Sequence, residues 1–362
     1  MTAALLLLAL AASAPSNLQA VLDKTRETQD VPGVSAVVVQ RGETVFAGAS
    51  GLADLASASP MTADSVLYIG SVTKVLSAVL VLQLLETEQL SLNDPVAGIA
   101  VDDFRNSPPV TIRDLLAHSS GLDREGDFGY WFTAGFPDNE ELAHYLATTS
   151  LRFAPGDTFH YSNIGYAALG LLVEQETEQS YSDALRDRVL VPLNMGASGG
   201  RGPAKDVTTG YTPANRIIPS PERPFAGVGK RVGNRHERTY HDARAMSPAF
   251  GAYASANDMG RFVSFLLGHT GNEVLSPALR ARIYERQASG RGLGLKITRV
   301  AGRTVARHDG WFAAHRTHLL LDVGNDIGVV VMANSDNATP GEIADALLEA
   351  VLAAINTSDK RP

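Results

Sequence analysis

Tyr68-Ile69-Gly70-Ser71-Val72-Thr73-Lys74, followed by the apolar run Val75 to Leu85, is the stretch on which the reading of this chain turns. Residues 75 to 85 are apolar on nearly every side, which predicts a helix buried in a core rather than an amphipathic surface helix. Ser71 and Lys74 stand three apart on its first turn, so a hydroxyl and an amine can meet there. Gly70 lets another group approach closely, and the helix N-terminus points amide donors and partial positive charge at anything bound. A lysine beside an apolar helix tends to lose its proton, and a neutral amine next to a serine is a workable general base. Ser-x-x-Lys alone is a short motif that often arises without function. Its meaning depends on the rest of the chain.

On the N-terminal side, Val34-Ser35-Ala36-Val37-Val38-Val39, a turn at Arg41-Gly42-Glu43 and Thr44-Val45-Phe46-Ala47 predict a β-hairpin. On the C-terminal side, Thr304–Arg307, Thr317–Asp322 and Ile327–Ala333 are β-rich, with Gly324-Asn325-Asp326 as a hairpin turn and a helix from about Pro340 to Ile355. Between them lie a short helix capped by Thr111, with Asp114 three residues on, and a longer helix from about Asn163 to Glu178. Strands at both ends with helices between predict an α/β (α+β) fold. An antiparallel sheet is assembled from both termini and flanked by helices, with an all-helical insertion at about 85–205 and sheet parts at about 21–85 and 205–355. Residues 201–244 carry five prolines and nine basic against four acidic residues. They read as a long irregular excursion with a few short elements, either a candidate pocket wall or a solvated connector.

Composition narrows the function. The chain has 362 residues with 31 basic against 39 acidic side chains, a net charge of -8, and 44% hydrophobic residues. That describes a globular protein and argues against a nucleic-acid binder, which carries a basic footprint. There is no cysteine, which removes disulfides, thiol nucleophiles, iron–sulfur clusters and thiolate zinc ligands. Ala3–Ala14 is apolar and ends in Ala12-Ser13-Ala14, like a secretory signal, although no Lys or Arg precedes it and Pro15 follows. The expectation is a signal peptide within residues 1–20, export to the periplasm or beyond, and a single domain over 21–355. Without that signal the protein would be cytoplasmic. No later segment reads as a membrane span.

Two further segments carry candidate chemistry. Tyr161-Ser162-Asn163 precedes a helix and reads locally as an N-cap at Ser162 with Tyr161 packed beside it, or as a phenol and a carboxamide at a pocket edge. His308-Asp309-Gly310-Trp311 follows a strand, and Asp-Gly there is first of all a hairpin turn signal.

Taken together the three segments change the reading. Ser-x-x-Lys, then Tyr-x-Asn about ninety residues on, then His-x-Gly near a C-terminal strand, resembles the serine β-lactamase and penicillin-binding-protein superfamily. The closest resemblance is to its class C β-lactamase, D-peptidase and esterase branch. His118-Ser119-Ser120-Gly121-Leu122, Leu92-Asn93-Asp94-Pro95-Val96, Pro155-Gly156, Pro192-Leu193-Asn194-Met195 and Gly292-Leu293-Gly294-Leu295 look like the same branch. The resemblance spans roughly residues 20–355. It implies Ser71 as nucleophile, Lys74 as its activating partner and Tyr161 as proton relay to the leaving group. It further implies substrate contacts at Asn163, His308 and Gly310, and an oxyanion hole from the backbone N–H groups of Ser71 and Trp311. Which of Lys74 and Tyr161 takes the serine proton is left open.

The implied activity is a serine hydrolase that cleaves an ester, amide or peptide bond, with no metal and no cofactor. The third motif departs from the Lys-Thr-Gly of many β-lactamases. Neutral His308 lacks the full charge that recognises a carboxylate, so uncharged esters and amides are expected over penicillin or D-Ala-D-Ala. The alternatives are a β-lactamase or D-Ala-D-Ala carboxypeptidase, and a sensor that acylates once. Sensors are usually coupled to membrane or signalling segments, which are not seen here. Three features read as decoys. Gly196-Ala197-Ser198-Gly199-Gly200 lacks the strand and helix a nucleophile elbow needs. His315 and His318 face opposite sides of a strand. Gly227–Gly233 does not fit a phosphate loop. The oligomeric state is not legible.

Overall fold

Gly33–Gln40 (β1) is apolar at nearly every position, and all of it up to Val39 is buried. Such a strand needs cover on both faces, and it has it. Val34, Ala36 and Val38 join the layer formed with the N-terminal helix Leu18–Thr28 (α1), whereas Val37 and Val39 join the larger core on the opposite face. A computed structural model describes residues 17–358, apart from 88–89, 101–107, 134, 203–206, 217–227, 239–241, 288 and 301. The apolar run read as a signal lies outside the described residues, as does much of the proline-rich part of the 201–244 excursion.

The expected hairpin is β1 with Glu43–Asp54 (β2), extended by the short edge strand Ser59–Pro60 (β3). Val66–Tyr68 (β4) leads into Thr73–Thr87 (α2). The helices Ile112–Leu116 (α3), Tyr130–Thr133 (α4), Asn139–Thr148 (α5), Asn163–Thr177 (α6) and Tyr181–Leu185 (α7) follow with no strand between them among the described residues. Thr111 and Asp114 form the reciprocal capping box their spacing predicts. The excursion contributes Gly210–Pro213 (β5), Val228–Val232 (β6) and Arg235–Arg238 (β7), a small antiparallel sheet in the order β5-β7-β6. Next come Ser247–Phe250 (α8), Tyr253–Ser255 (β8), Ala256–Leu266 (α9) and Pro277–Arg282 (α10), helices within the segment read from sequence as sheet. Lys296–Val300 (β9), Arg303–Phe312 (β10), His315–Asp322 (β11), Ile327–Ala333 (β12) and Pro340–Ser358 (α11) complete the chain.

The main sheet runs β3-β2-β1-β12-β11-β10-β9 with every pairing antiparallel. The first and last long strands therefore lie side by side, Val34 opposite Ala333, as an assembly from both termini requires. The mixed α/β architecture with one large antiparallel sheet is the fold the sequence predicts.

One local expectation is overturned. Asp309-Gly310 is not a turn but lies inside β10, paired with His318 and Thr317 of β11. The hairpin turn is Ala313-Ala314, both at positive φ (49° and 59°). Alanine tolerates that region poorly, so local preference has yielded to tertiary contact: Gly310 is needed where the strand crosses the Ser71 turn.

α2 is buried along almost its whole length and carries no polar face. By length and composition Gly70–Thr87 could cross a membrane, but 72% of it is buried inside the fold, as a core helix would be.

Candidate active site

The site is organised by a close crossing of two backbones. β4 pairs with β8, and the Ile69 amide donates to Ala252 O at 3.0 Å, which fixes the start of the Gly70–Val72 turn. Gly70 has φ +52°, and a Cβ there would lie 2.2 Å from Trp311 N. From the other side, a Cβ on Gly310 would lie 1.9 Å from Ile69 O and 3.4 Å from Ser71 N. Both glycines exist because no side chain fits between the turn and β10. The crossing brings the backbone amides of Ser71 and Trp311 into one neighbourhood.

A prediction follows from these distances. Gly310→Ala should displace β10 from the turn and lower kcat about 10²–10³-fold, the loss typical of removing one fixed oxyanion donor. Far-ultraviolet circular dichroism should still report a folded protein. Full activity in folded Gly310→Ala would show that this crossing does not shape the site.

Lys74 is fully buried on the first turn of α2. Its Nζ stands 2.7 Å from Asn163 Oδ1, 2.7 Å from Ala249 O and 3.4 Å from Ser71 Oγ. Burial drives its pKa well below the usual lysine value; Glu125 opposes that shift and Arg124 adds to it. Asn163 opens α6 behind the N-cap Ser162, whose Oγ accepts from Gly165 N at 2.8 Å. The Asn163 amide is oriented by its far side: Nδ2 donates to both Glu125 oxygens at 2.9 Å, which turns Oδ1 towards Lys74. Glu125 is held in turn by Tyr130 and by Arg124 Nε at 3.0 Å.

Tyr161 completes the group. Its hydroxyl hydrogen-bonds Ser71, and Lys74 Nζ sits 4.9 Å from its ring centre. Desolvation pushes the phenol up to about 12, with the Ser71 bond and Arg124 pulling the other way. His118 packs on the Tyr161 ring, centroids 4.4 Å apart, and its Nδ1 accepts from Ser162 N at 3.1 Å. Burial and the nearby Lys74 hold His118 well below the ordinary histidine range, so it serves as a neutral buttress. The N-cap reading and the pocket-edge reading of Tyr161-Ser162-Asn163 therefore describe the same segment.

His308 stands 6.4 Å from Tyr161, ring centre to ring centre. Desolvation first, and Lys74 second, lower its pKa to about 3, and its Nδ1–H donates to Asp309 O at 2.8 Å. The imidazole is neutral. Its surroundings are not. The open cleft of about 840 Å³ that contains Ser71, Tyr161, Asn163, His308, Gly310 and Trp311 is also lined by Arg124, Arg291, Lys296, Arg307 and Arg316, against Glu125 and Asp309. On a chain of net charge -8, this is a locally basic surface. The preference for uncharged substrates expected from His308 alone therefore meets a lining that can also attract an anion.

Of the remaining candidates, Ser198 and His315 lie outside the cleft, whereas His318 lines it beside Asp309. Ser198 Oγ donates to Asp258 Oδ2 at 2.8 Å, at a turn outside the cleft. His315 contacts Thr208, whereas His318 Nδ1 is 2.8 Å from Asp309 on the opposite strand face. Among the described residues no three His, Asp or Glu side chains could hold a metal ion. None of the described residues of the 201–244 excursion lines the cleft. Sequence reasoning missed Glu125, Trp131, Phe250 and Arg291; all but Phe250 lie outside the regular elements, or in the single turn of α4, where periodicity gives no signal.

The Beta-lactamase family model matches residues 18–354. Esterase EstB of Burkholderia gladioli is 30% identical over 75% of this chain and 75% of its own length. D-alanyl-D-alanine-carboxypeptidase/endopeptidase AmpH of Escherichia coli is 27% identical over 77% of this chain and 68% of its own. In structure, the chain resembles D-amino acid amidase of Ochrobactrum anthropi SV3, with a TM-score of 0.77, 23% identity and coverage of 96% and 100% of the two chains. The octameric penicillin-binding protein homologue of Pyrococcus abyssi gives 0.78 at 23% identity, covering 94% of this chain and 78% of the other. With the match running through nearly all of the described residues, the chain belongs to the Beta-lactamase family and is a serine hydrolase.

Proposed function

We propose that this protein hydrolyses an ester or amide bond through an acyl-enzyme on Ser71, with Lys74 as the general base. The observation that carries the assignment is the environment of the amine. A neutral lysine has two N–H bonds and one lone pair. Asn163 Oδ1 and Ala249 O take the two N–H bonds at 2.7 Å each, which leaves the lone pair for the Ser71 hydroxyl. Tyr161, with its pKa pushed up to about 12, keeps its proton at working pH and acts as a donor.

In this reading Ser71 Oγ attacks the carbonyl carbon as its proton passes to Lys74. The developing oxyanion is held by the N–H groups of Ser71 and Trp311, donors worth roughly 2.7–4 kcal/mol each in a hydrolase. Tyr161 gives its proton to the leaving oxygen or nitrogen and recovers one from Lys74. Water then enters and the same transfers run in reverse, releasing the acid and free Ser71. The similarity to an esterase and to a D-alanyl-D-alanine carboxypeptidase supports ester and peptide bonds as the substrates. We also infer that the protein works after export.

Mixing with an activated ester such as p-nitrophenyl acetate should give a burst of about one equivalent of product followed by a steady rate. A burst followed by a plateau would make the protein a covalent sensor, and no Ser71-dependent release would overturn the hydrolase mechanism.

A further inference from the structure

The chain has two tryptophans, Trp131 on α4 and Trp311 on β10, and both line the same cleft. Their ring centres are 5.2 Å apart at an interplanar angle of 40°, so the indoles meet as an open wedge. Phe250, buried at the end of α8, closes its floor with its centroid 5.1 Å from that of Trp131. Trp311 is 39% exposed, among the few large apolar side chains so placed in the described residues. Its backbone is the one that crosses Gly70, so the wedge begins one residue from the reacting serine.

The Trp311 indole is fixed from behind. Nε1 donates to Asp336 Oδ1 at 2.6 Å, and the other carboxylate oxygen accepts from Thr212 in β5. The Asp336 amide donates to Tyr211 O at 3.0 Å, tying the same residue to that strand through its backbone. The small excursion sheet thus reaches the cleft without lining it, by anchoring one of its walls. An exposed indole held rigid at a cleft mouth offers a π-face at little entropic loss.

We propose that Trp131, Trp311 and Phe250 form a subsite for a planar aromatic group of the substrate, with Asp336 as the residue that positions Trp311. The assignment rests on the acyl-enzyme reading for its kinetic test but not for its binding test. An aromatic group could arrive on the acyl side or on the leaving group. Phenylacetate esters of a small alcohol and phenyl esters of acetic acid separate the two sources.

The kinetic experiment compares kcat/KM for methyl phenylacetate and methyl cyclohexylacetate, and for phenyl and cyclohexyl acetate, in wild type, Trp131→Leu and Asp336→Asn. The aromatic-to-cyclohexyl ratio, in whichever pair shows it, should fall about 3- to 10-fold in Trp131→Leu, the range expected from losing one aromatic pair. Asp336→Asn, which keeps an acceptor for the indole N–H, should retain most of the ratio, whereas Asp336→Ala should lose it. Equal ratios in wild type and Trp131→Leu for both pairs would overturn the proposal. The binding experiment titrates phenylacetate and phenol into Ser71→Ala and follows intrinsic tryptophan emission, which reports on this cleft alone. Saturable change with either probe but not with its cyclohexyl counterpart supports the subsite, even if Ser71→Ala proved fully active and the mechanism fell. No change with either probe, in a protein shown by circular dichroism to be folded, would refute it.

Discussion

Ser71→Ala should abolish turnover, with kcat falling by about 10⁶-fold, the scale of removing the nucleophile from a serine hydrolase. The contrast with Ser198→Ala gives this result its force. Both serines belong to motifs associated with nucleophiles, although the segment around Ser198 lacks the strand and helix that its motif needs. The structure distinguishes them by what surrounds each hydroxyl. Ser71 meets a buried amine and a phenol, beside two backbone amides brought together by Gly70 and Gly310. Ser198 meets Asp258, which also accepts from Ala197 N at 2.8 Å and pairs with Arg261, and which serves as an anchor for a turn. Ser198→Ala should therefore change kcat less than about threefold, as expected of a site that makes no contact with reacting atoms. Intact-protein and peptide mass spectrometry after reaction with a fluorophosphonate should place one adduct on the peptide that contains Ser71. Modification of Ser198 instead, or full activity in Ser71→Ala, would move the site.

The parts of this molecule legible from sequence are those where local and tertiary demands agree. β1 and β12 are apolar runs bounded by turn residues, α2 is an apolar run too long for a strand, and α3 opens on a Thr111–Asp114 box that the structure reproduces atom for atom. The illegible parts are those where the two conflict or where no period exists. Asp309-Gly310 carries the local signature of a turn, yet Gly310 serves as the thin point of a strand that must pass Ile69 O. The turn falls instead on two alanines. β4 and β8 are three-residue strands, too short to show alternation, although they set the position of Ser71. Glu125 and Arg291 lie outside the regular elements and Trp131 lies in a single helical turn. Their placement depends on packing against α6, α8 and β10, which no window of sequence contains. Motif order could therefore indicate which residues might act, while the orientation of Asn163 by Glu125 and the wedge of indoles required the three-dimensional arrangement.

Lys74→Met keeps the length and apolar character of the stem and removes only the amine, so it isolates the proposed base. On the acyl-enzyme mechanism kcat should fall about 10²–10⁴-fold, the usual contribution of a positioned general base. The wild-type pH profile should carry the same information. Burial holds Lys74 well below its ordinary pKa, so kcat/KM should rise as pH climbs through that lowered value and the amine loses its proton. It should then stay level through pH 10, because Tyr161 titrates only at about 12. The same proton links to stability. Unfolded chain holds it up to the ordinary lysine value of 10.5, and folded protein releases it earlier, so unfolding takes up a proton in the window between. Stability should rise with pH across that window in wild type, and this part of the slope should vanish in Lys74→Met. The substitution strands Asn163 Oδ1 and Ala249 O, two acceptors that now lack a donor, at about 1–3 kcal/mol each, against which stands relief from burying an amine. Circular dichroism and a melting curve should show a folded variant. Two outcomes would overturn the assignment. If folded Lys74→Met kept kcat within tenfold of wild type, the amine would not be the base. If the acid limb of the pH profile survived the substitution unchanged, the titrating group would be another and the amine would not be the base.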